Sequence, residues 1–229
     1  MTRIGSAAAI VDGTFLALLD QGEYDTLDRL GVSRSFPRSG LLMFEREPAE
    51  RVMILLAGRV KVSRAGADGQ ELLLGIRDPG DVVGELGFID GKPRIASVIA
   101  LEPVEALVIP AQAFRTYLET TPRVAVTLLE VIARRFRDAN DKLAQFASSD
   151  TLGRVSARVV ELAERYGEPA PDGVAVAMPI SQEELAAWAG ASRAGVAHAL
   201  QVLRDLGWIQ TERRRVIVGD LDAVRARAA

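Results

Sequence analysis

The sequence predicts an α+β chain in three parts: an N-terminal β-roll, a long helix and a C-terminal winged helix-turn-helix. Three observations predict it. Short apolar runs divided by Gly/Asp turns fill residues 36–110. A three-four apolar spacing runs unbroken beyond Pro122. A capped helix, a glycine turn, a second capped helix and a strand pair then follow near the end of the chain.

Taking the elements in order, Phe15, Leu16, Leu18 and Leu19, then Leu27 and Leu30, form a helical patch ahead of the roll. Apolar runs follow at 41–44, 52–56, 60–62, 72–76, 82–83, 97–100 and 106–109. Between them lie Arg38-Ser39-Gly40, Ala57-Gly58-Arg59, Gly66-Ala67-Asp68-Gly69, Asp78-Pro79-Gly80-Asp81 and Asp90-Gly91-Lys92-Pro93, which are turn chemistry. Many short strands at this spacing make an all-β barrel or roll. From Pro122 the period turns helical. Leu129, Ile132, Phe136, Ala139, Leu143 and Phe146 alternate by three and four, an a/d seam that a partner helix buries. Arg134, Arg135, Arg137, Asp138, Asp141 and Lys142 flank it and can pair within or between helices. A symmetric dimer is the preferred reading; a single amphipathic helix lying on its own roll is the other. The expected division is 1–118 for the roll, 119–148 for the dimerisation helix and 149–229 for the last domain.

A helix over 153–166 carries Val155, Val159, Leu162 and Ala163, and a Pro-containing loop at 167–173 is expected to end it. Ser181-Gln182-Glu183-Glu184 is a capping box that opens a short helix. Gly190 supplies the turn and Ser192 caps a second helix to about Leu206, with Leu185, Ala189, Val196, Leu200 and Leu203 facing inward. That is the helix-turn-helix pattern. Residues 208–211 and 215–218 read as strands around Glu212-Arg213-Arg214, a basic wing. From Arg193 onward there are seven arginines against four acidic residues, the electrostatic footprint of phosphate contact. Arg193, in the first turn of the second helix, is placed to read the O6 and N7 of a guanine, with His198 as a further contact. The set expected at DNA is Ser181, Gln182, Ser192, Arg193, His198, Arg213, Arg214 and Arg215.

Composition narrows the alternatives. Of 229 residues, 48% are apolar and 26% charged, so each part can bury a core. A net charge of −3 excludes a generally basic coating protein but leaves room for a local basic surface. With no cysteine, disulfides, thiolate metal sites, iron–sulfur clusters and a cysteine nucleophile are excluded. His198 is the only histidine. A cupin-like β-barrel enzyme needs clustered metal ligands on its strands, and residues 1–150 hold neither His nor Cys, so the chain does not read as an enzyme. No leader or membrane-length apolar stretch is seen, and the expected location is the cytoplasm, away from membrane.

In this order the motifs resemble the catabolite activator (CRP/FNR) family over nearly the whole chain. They are Gly84-Glu85-Leu86-Gly87-Phe88 with Pro93-Arg94, Ala133-Arg134-Arg135, Gly153-Arg154-Val155, and Ser181-Gln182-Glu183-Glu184-Leu185 with Gly190-Ala191-Ser192-Arg193. The resemblance implies a cyclic-nucleotide-binding-type β-roll and a homodimeric regulator on an inverted-repeat operator of double-stranded DNA. It implies RNA polymerase as a further partner, reached through the 168–173 loop. The cassette it implies has Arg94 offering a planar fork to a cyclic phosphate, Glu85 taking the ribose 2′-hydroxyl, and the Gly84-to-Leu86 turn presenting backbone N–H groups. A salt bridge between Glu85 and Arg94 inside the roll is the alternative. Arg135 looks like the family arginine beside the cassette glutamate, and Asn140 like the polar residue reaching the other subunit's ligand.

Departures from the cyclic-AMP pattern are as informative. Ile95 stands where the family has Ser or Thr after the cassette arginine, and Ala139 where a Thr faces the adenine. A hydrogen bond to a charged partner contributes about 1.5–3 kcal/mol. Losing the hydroxyl therefore weakens cyclic-AMP binding by about ten- to a hundredfold. Three outcomes stay open for the effector: weak binding of cyclic AMP or cyclic GMP, a different ligand in the same pocket, or a roll that senses nothing. Ala194 and His198 replace a glutamate and an arginine of the catabolite activator, so a modified operator is expected. A ligand-independent regulator of the same fold and an interaction module without DNA function are the competing readings.

Overall fold

The computed structural model describes residues 10–66, 70–177, 179–212 and 215–228. The chain divides into two compact units, Met1–Arg64 with Leu74–Arg137, and Ala65–Leu73 with Asp138–Ala229.

The first unit opens with a 3-10 turn, Leu16–Leu18, and α1, Gln21–Asp28, whose Asp20 and Glu23 form a complete capping box. Eight strands follow: β1 Val32–Phe36, β2 Leu41–Met43, β3 Arg51–Ala57, β4 Val60–Ala65, β5 Glu71–Arg77, β6 Val82–Val83, β7 Ser97–Ala100 and β8 Val104–Pro110. They form two four-stranded sheets, in the orders β1-β8-β3-β6 and β2-β7-β4-β5. α2, Glu85–Asp90, interrupts the strands; α3, Ala111–Thr120, and α4, Pro122–Ser148, follow them.

The unbroken apolar character of β3 has a simple cause: both its faces are buried, so no polar alternation is needed. Met53 and Leu55 join Leu42, Met43, Val60, Val98 and Ala106 in a core that draws on both sheets. Val52 and Ile54, one residue out of phase, join Phe15, Phe88, Leu107, Ile109 and Phe114 with the Val124, Leu128 and Val131 face of α4. Phe114 anchors that second core, edge-on to Phe88 at 5.3 Å and to Phe15 at 6.4 Å.

The second unit holds the end of α4 and α5, Thr151–Tyr166, then β9 Gly167–Ala170, β10 Gly173–Ala177, α6 Gln182–Ala189, α7 Arg193–Asp205, β11 Ile209–Glu212, β12 Arg215–Val218 and α8 Leu221–Ala228. Its sheet runs β11-β12-β10-β9. Val155, Leu162, Leu185, Trp188, Val196, Leu203, Ile209, Val218 and Val224 are buried.

One local expectation needs correction, and several elements were not foreseen. The stretch 167–173 is a β-hairpin, β9 and β10 paired from Gly173↔Ala170 to Val176↔Gly167, because both prolines fall at edge-strand or turn positions. The cassette segment 85–90 is a helical turn and a half. Residues 111–120 form a separate helix before the long one begins. Residues 221–228 form α8, whose Val224 is fully buried and whose Arg225 bonds Glu164 at 2.9 Å. β1 gave no signal because its residues are mostly exposed and Val-Ser-Arg-Ser-Phe has no apolar run.

Candidate effector pocket and nucleic-acid interface

The cassette arises where β6 meets α2. Gly84 takes φ +82°, and a Cβ there would sit 2.7 Å from both Arg94 Nη1 and Met43 Cε, so only glycine lets the arginine reach the turn. Arg94 is buried. Its Nη1 donates to the Gly84 carbonyl at 2.6 Å and its Nη2 to the Arg51 carbonyl. Nε is buried with no hydrogen-bond partner among the described residues, and Glu47 Oε1 lies 3.9 Å from it. Burial pulls the guanidinium pKa below its ordinary value, while Glu47 pushes it back up. A desolvated cation with an unspent N–H is an arrangement that an incoming anion relieves.

Glu85 is also buried, and it meets Arg135 rather than Arg94. Arg135 Nη1 donates to Glu85 Oε1 and Nη2 to Asp81 Oδ1, both at 2.7 Å. Burial works against the Arg135 charge, yet Glu85 and Asp81 together raise its pKa above the ordinary value. Leu86 and Ile95 are exposed, the latter by 48%. Asn140 is exposed on α4 in the second unit. The structure thus brings together Gly84, Glu85, Arg94 and Arg135 and adds two residues that sequence reasoning passed over. Asp81 was read only as part of a turn, and Glu47 lies in a run without a motif.

At the helix-turn-helix, Ser181 Oγ accepts from the Glu184 N–H at 3.1 Å and Glu184 Oε2 accepts from the Ser181 N–H at 2.8 Å. Ser181 Oγ also donates to that carboxylate at 3.0 Å, so its hydroxyl is engaged inside the capping box. Gly190 ends α6 in the left-handed region at φ +55°, and Ser192 caps α7 by accepting from the Gly195 N–H at 3.0 Å. Arg193, Ala194, Ala197, His198 and Gln201 are exposed along α7, opposite buried Val196, Leu200 and Leu203. Gln182 is exposed at the start of α6. Much of the positive excess counted in the sequence is used internally. Arg225 pairs with Asp222 and Glu164, Arg227 with Asp150, and Arg215 lies 3.7 Å from Glu212. Arg193 makes no ion pair among the described residues. Arg213 and Arg214 lie outside the described residues.

Comparison with known proteins matches both regions. Residues 33–121 fit the cyclic nucleotide-binding domain model and residues 153–227 the Crp-like helix-turn-helix domain model. A CRP-like cAMP-activated global transcriptional regulator of Mycobacterium tuberculosis (strain ATCC 25618 / H37Rv) is 36% identical over 193 residues, covering 84% of this chain and 86% of that protein. The chain belongs to the CRP/FNR family of transcription regulators. As such a regulator it is not an enzyme. The global nitrogen regulator of Synechocystis sp. (strain ATCC 27184 / PCC 6803 / Kazusa) is 29% identical, over 82% of this regulator and 84% of its own length. Among solved structures, a CooA variant from Carboxydothermus hydrogenoformans superposes with TM-score 0.80 at 18% identity, covering 96% of this chain and 98% of its own. The c-di-GMP-responsive regulator CLP of Xanthomonas campestris gives TM-score 0.77 at 22% identity, covering 87% and 99%. At these identities the structural likeness concerns the fold alone.

Proposed function

We propose that this regulator acts as a cytoplasmic homodimer that reads an inverted-repeat operator with the exposed face of α7, Arg193 foremost, under control of a cyclic nucleotide in the roll. The observation that carries the DNA reading is Arg193 itself. It is an exposed guanidinium, unpaired among the described residues, at the first turn of a Ser-capped helix just beyond a glycine turn. His198, Gln182 and Ser192 share the exposed side of the two helices, with Arg215 on the wing strand. In a dimer, two such helices spaced by about 34 Å meet successive major grooves. The β9–β10 turn is where a contact with RNA polymerase would fall.

Support for a cyclic nucleotide comes from Arg94. An anionic phosphate offers its unspent Nε an acceptor, and a ribose hydroxyl offers Glu85 a donor that competes with Arg135. Ligand binding thereby loosens or redirects the hold of Arg135, a residue of α4, on Glu85 and Asp81, and it shifts the dimer only by the difference in ligand affinity between two arrangements. One observation favours a second reading, a regulator competent without ligand: Arg94 and Glu85 already have protein partners. The relative from M. tuberculosis is named for cyclic AMP and the one from X. campestris for c-di-GMP.

The test is selection of duplexes from random inverted repeats, followed by gel shift with and without millimolar cyclic AMP or cyclic GMP. Arg193→Ala is expected to lose about 1–3 kcal/mol, concentrated at one base position. Indifference to that substitution removes the DNA assignment of Arg193. Unchanged affinity with both nucleotides removes the cyclic-nucleotide reading in favour of the ligand-independent one.

A further inference from the structure

By its three-four spacing Phe146 is the last member of the α4 stripe, yet its ring is spent inside its own chain. At Gly190 a Cβ would overlap the edge of the Phe146 ring, 2.1 Å from Cε1, so the ring packs directly against the turn between α6 and α7. The Arg154 guanidinium lies 5.3 Å from the centre of the same ring. Arg154 forms no salt bridge among the described residues, and its donors go mainly to backbone carbonyls. Its Nε donates to the Ala189 carbonyl at 2.9 Å, Nη2 to the Gly190 carbonyl at 3.3 Å, and Nη1 to the Ser149 carbonyl at 2.7 Å. One planar fork thus joins the end of α6 to the junction between α4 and α5. A Cβ on Gly195, in the first turn of α7, would stand 3.2 Å from Thr151 Cγ2, so α7 also approaches that junction closely.

The neighbouring turn of α4 is held as well. Lys142 and Arg158 lie 5.4 and 5.5 Å from the ring centre of buried Trp188, Lys142 pairs with Glu161 at 3.4 Å, and Arg158 donates to Gln145 at 2.6 Å. Gly190 precedes Arg193 by three residues. A ring and a guanidinium that immobilise Gly190 therefore fix where the N-terminus of α7 lies relative to the last turn of α4.

We infer that Phe146, held under Arg154, is a positioning residue for DNA reading: it seats the N-terminus of α7 on the end of the dimerisation helix and does not serve as a zipper residue. Leu143, one turn earlier and 68% exposed, remains free for the partner helix, against 42% for Phe146. The inference rests on the DNA reading above. Rigid support of this kind decides whether two recognition helices in a dimer present one spacing or a range of spacings.

The experiment compares wild type, Phe146→Ala, Phe146→Leu and Leu143→Ala in the full chain. Sedimentation reads the dimer, and fluorescence anisotropy reads affinity for a duplex selected by the wild type and for a scrambled duplex. Each variant also selects its own duplexes from inverted repeats with variable spacers. Phe146→Ala is expected to dimerise like wild type and to bind the scrambled duplex within roughly twofold, but to lose about tenfold on the selected duplex. Its own selection should return a broadened range of spacers, and Phe146→Leu should recover most of the affinity. Leu143→Ala should instead weaken the dimer. The inference is overturned if Phe146→Ala matches wild type in affinity and spacer preference, or if it dissociates the dimer as Leu143→Ala does. Should Phe146→Ala show no cooperative unfolding, Arg154→Lys, which keeps the charge and loses the planar fork, is judged by the same criteria. Failure of the wild type to select any duplex overturns the DNA reading itself, a different result from a wild type that selects and a variant that copies it.

Discussion

The side chains around Arg94 show how one residue decides what a pocket accepts. Arg94 and Glu85 are both buried, but each charge is held in a different way, Arg94 by carbonyl dipoles with Glu47 at the edge of reach, Glu85 by the opposite charge of Arg135. Ile95, half exposed beside them, supplies no hydroxyl. Replacing it tests the arrangement directly. Ile95→Ser is expected to strengthen cyclic-AMP binding by about tenfold or more in calorimetry, since a hydrogen bond to a charged group is worth about 1.5–3 kcal/mol. No gain in affinity would mean that the phosphate does not sit against Arg94. Glu85 and Arg94 were legible as parts of a motif. Asp81 was not, because an aspartate between Gly80 and Val82 looks like any turn residue until Arg135 is brought to it from fifty-four positions away.

Among the elements, α4 reconciles two readings that its spacing left open. Val124, Leu128 and Val131 pack on the roll of the same chain, while Leu129, Phe136 and Leu143 on the other side stay exposed. The helix lies on its own roll and still carries an unpartnered stripe. α5 begins with Asp150, which accepts from the Gly153 N–H at 2.8 Å and pairs with Arg227 of α8 at 2.6 Å. The Gly153 hydrogen bond first, and then Arg227, hold its carboxyl below the ordinary aspartate value of 3.8. Because the folded pKa is depressed, the stabilisation is complete above pH 3.8 and is lost as pH falls through the folded value. Asp150→Ala is expected to cost about 0.5–2 kcal/mol at pH 7 in thermal unfolding, while Asp150→Asn, still an N-cap acceptor, should cost less. Both variants should approach wild-type stability at pH 3 more closely than at pH 7; a cost that stays constant between the two would refute the assignment. β1, β9 and α8 escaped the sequence reading for one reason. Edge strands and a short terminal helix bury too few apolar residues to imprint a period.

For the molecule as a whole, the exposed stripe on α4 is where we propose that the two subunits meet. Phe136 is 67% exposed in the single chain, so truncating it should leave thermal unfolding of the protomer nearly unchanged. In a symmetric dimer the loss is counted twice. With about 1.5–3 kcal/mol for each buried side chain, Phe136→Ala is expected to weaken dimerisation at least about a hundredfold by sedimentation. A dimer of undiminished affinity would show that the subunits meet elsewhere.

Several features followed from the sequence alone: a roll, a long helix and a capped helix-turn-helix with its glycine turn. Each is written in neighbouring residues, where hydrophobic period, capping chemistry and turn residues act over a few positions. The tertiary structure alone decided which partner each buried charge takes, that much of the arginine excess is neutralised within the chain, and that Phe146 packs against Gly190. Those outcomes depend on residues far apart in the chain competing for the same few ångströms of space, a competition that no local pattern encodes.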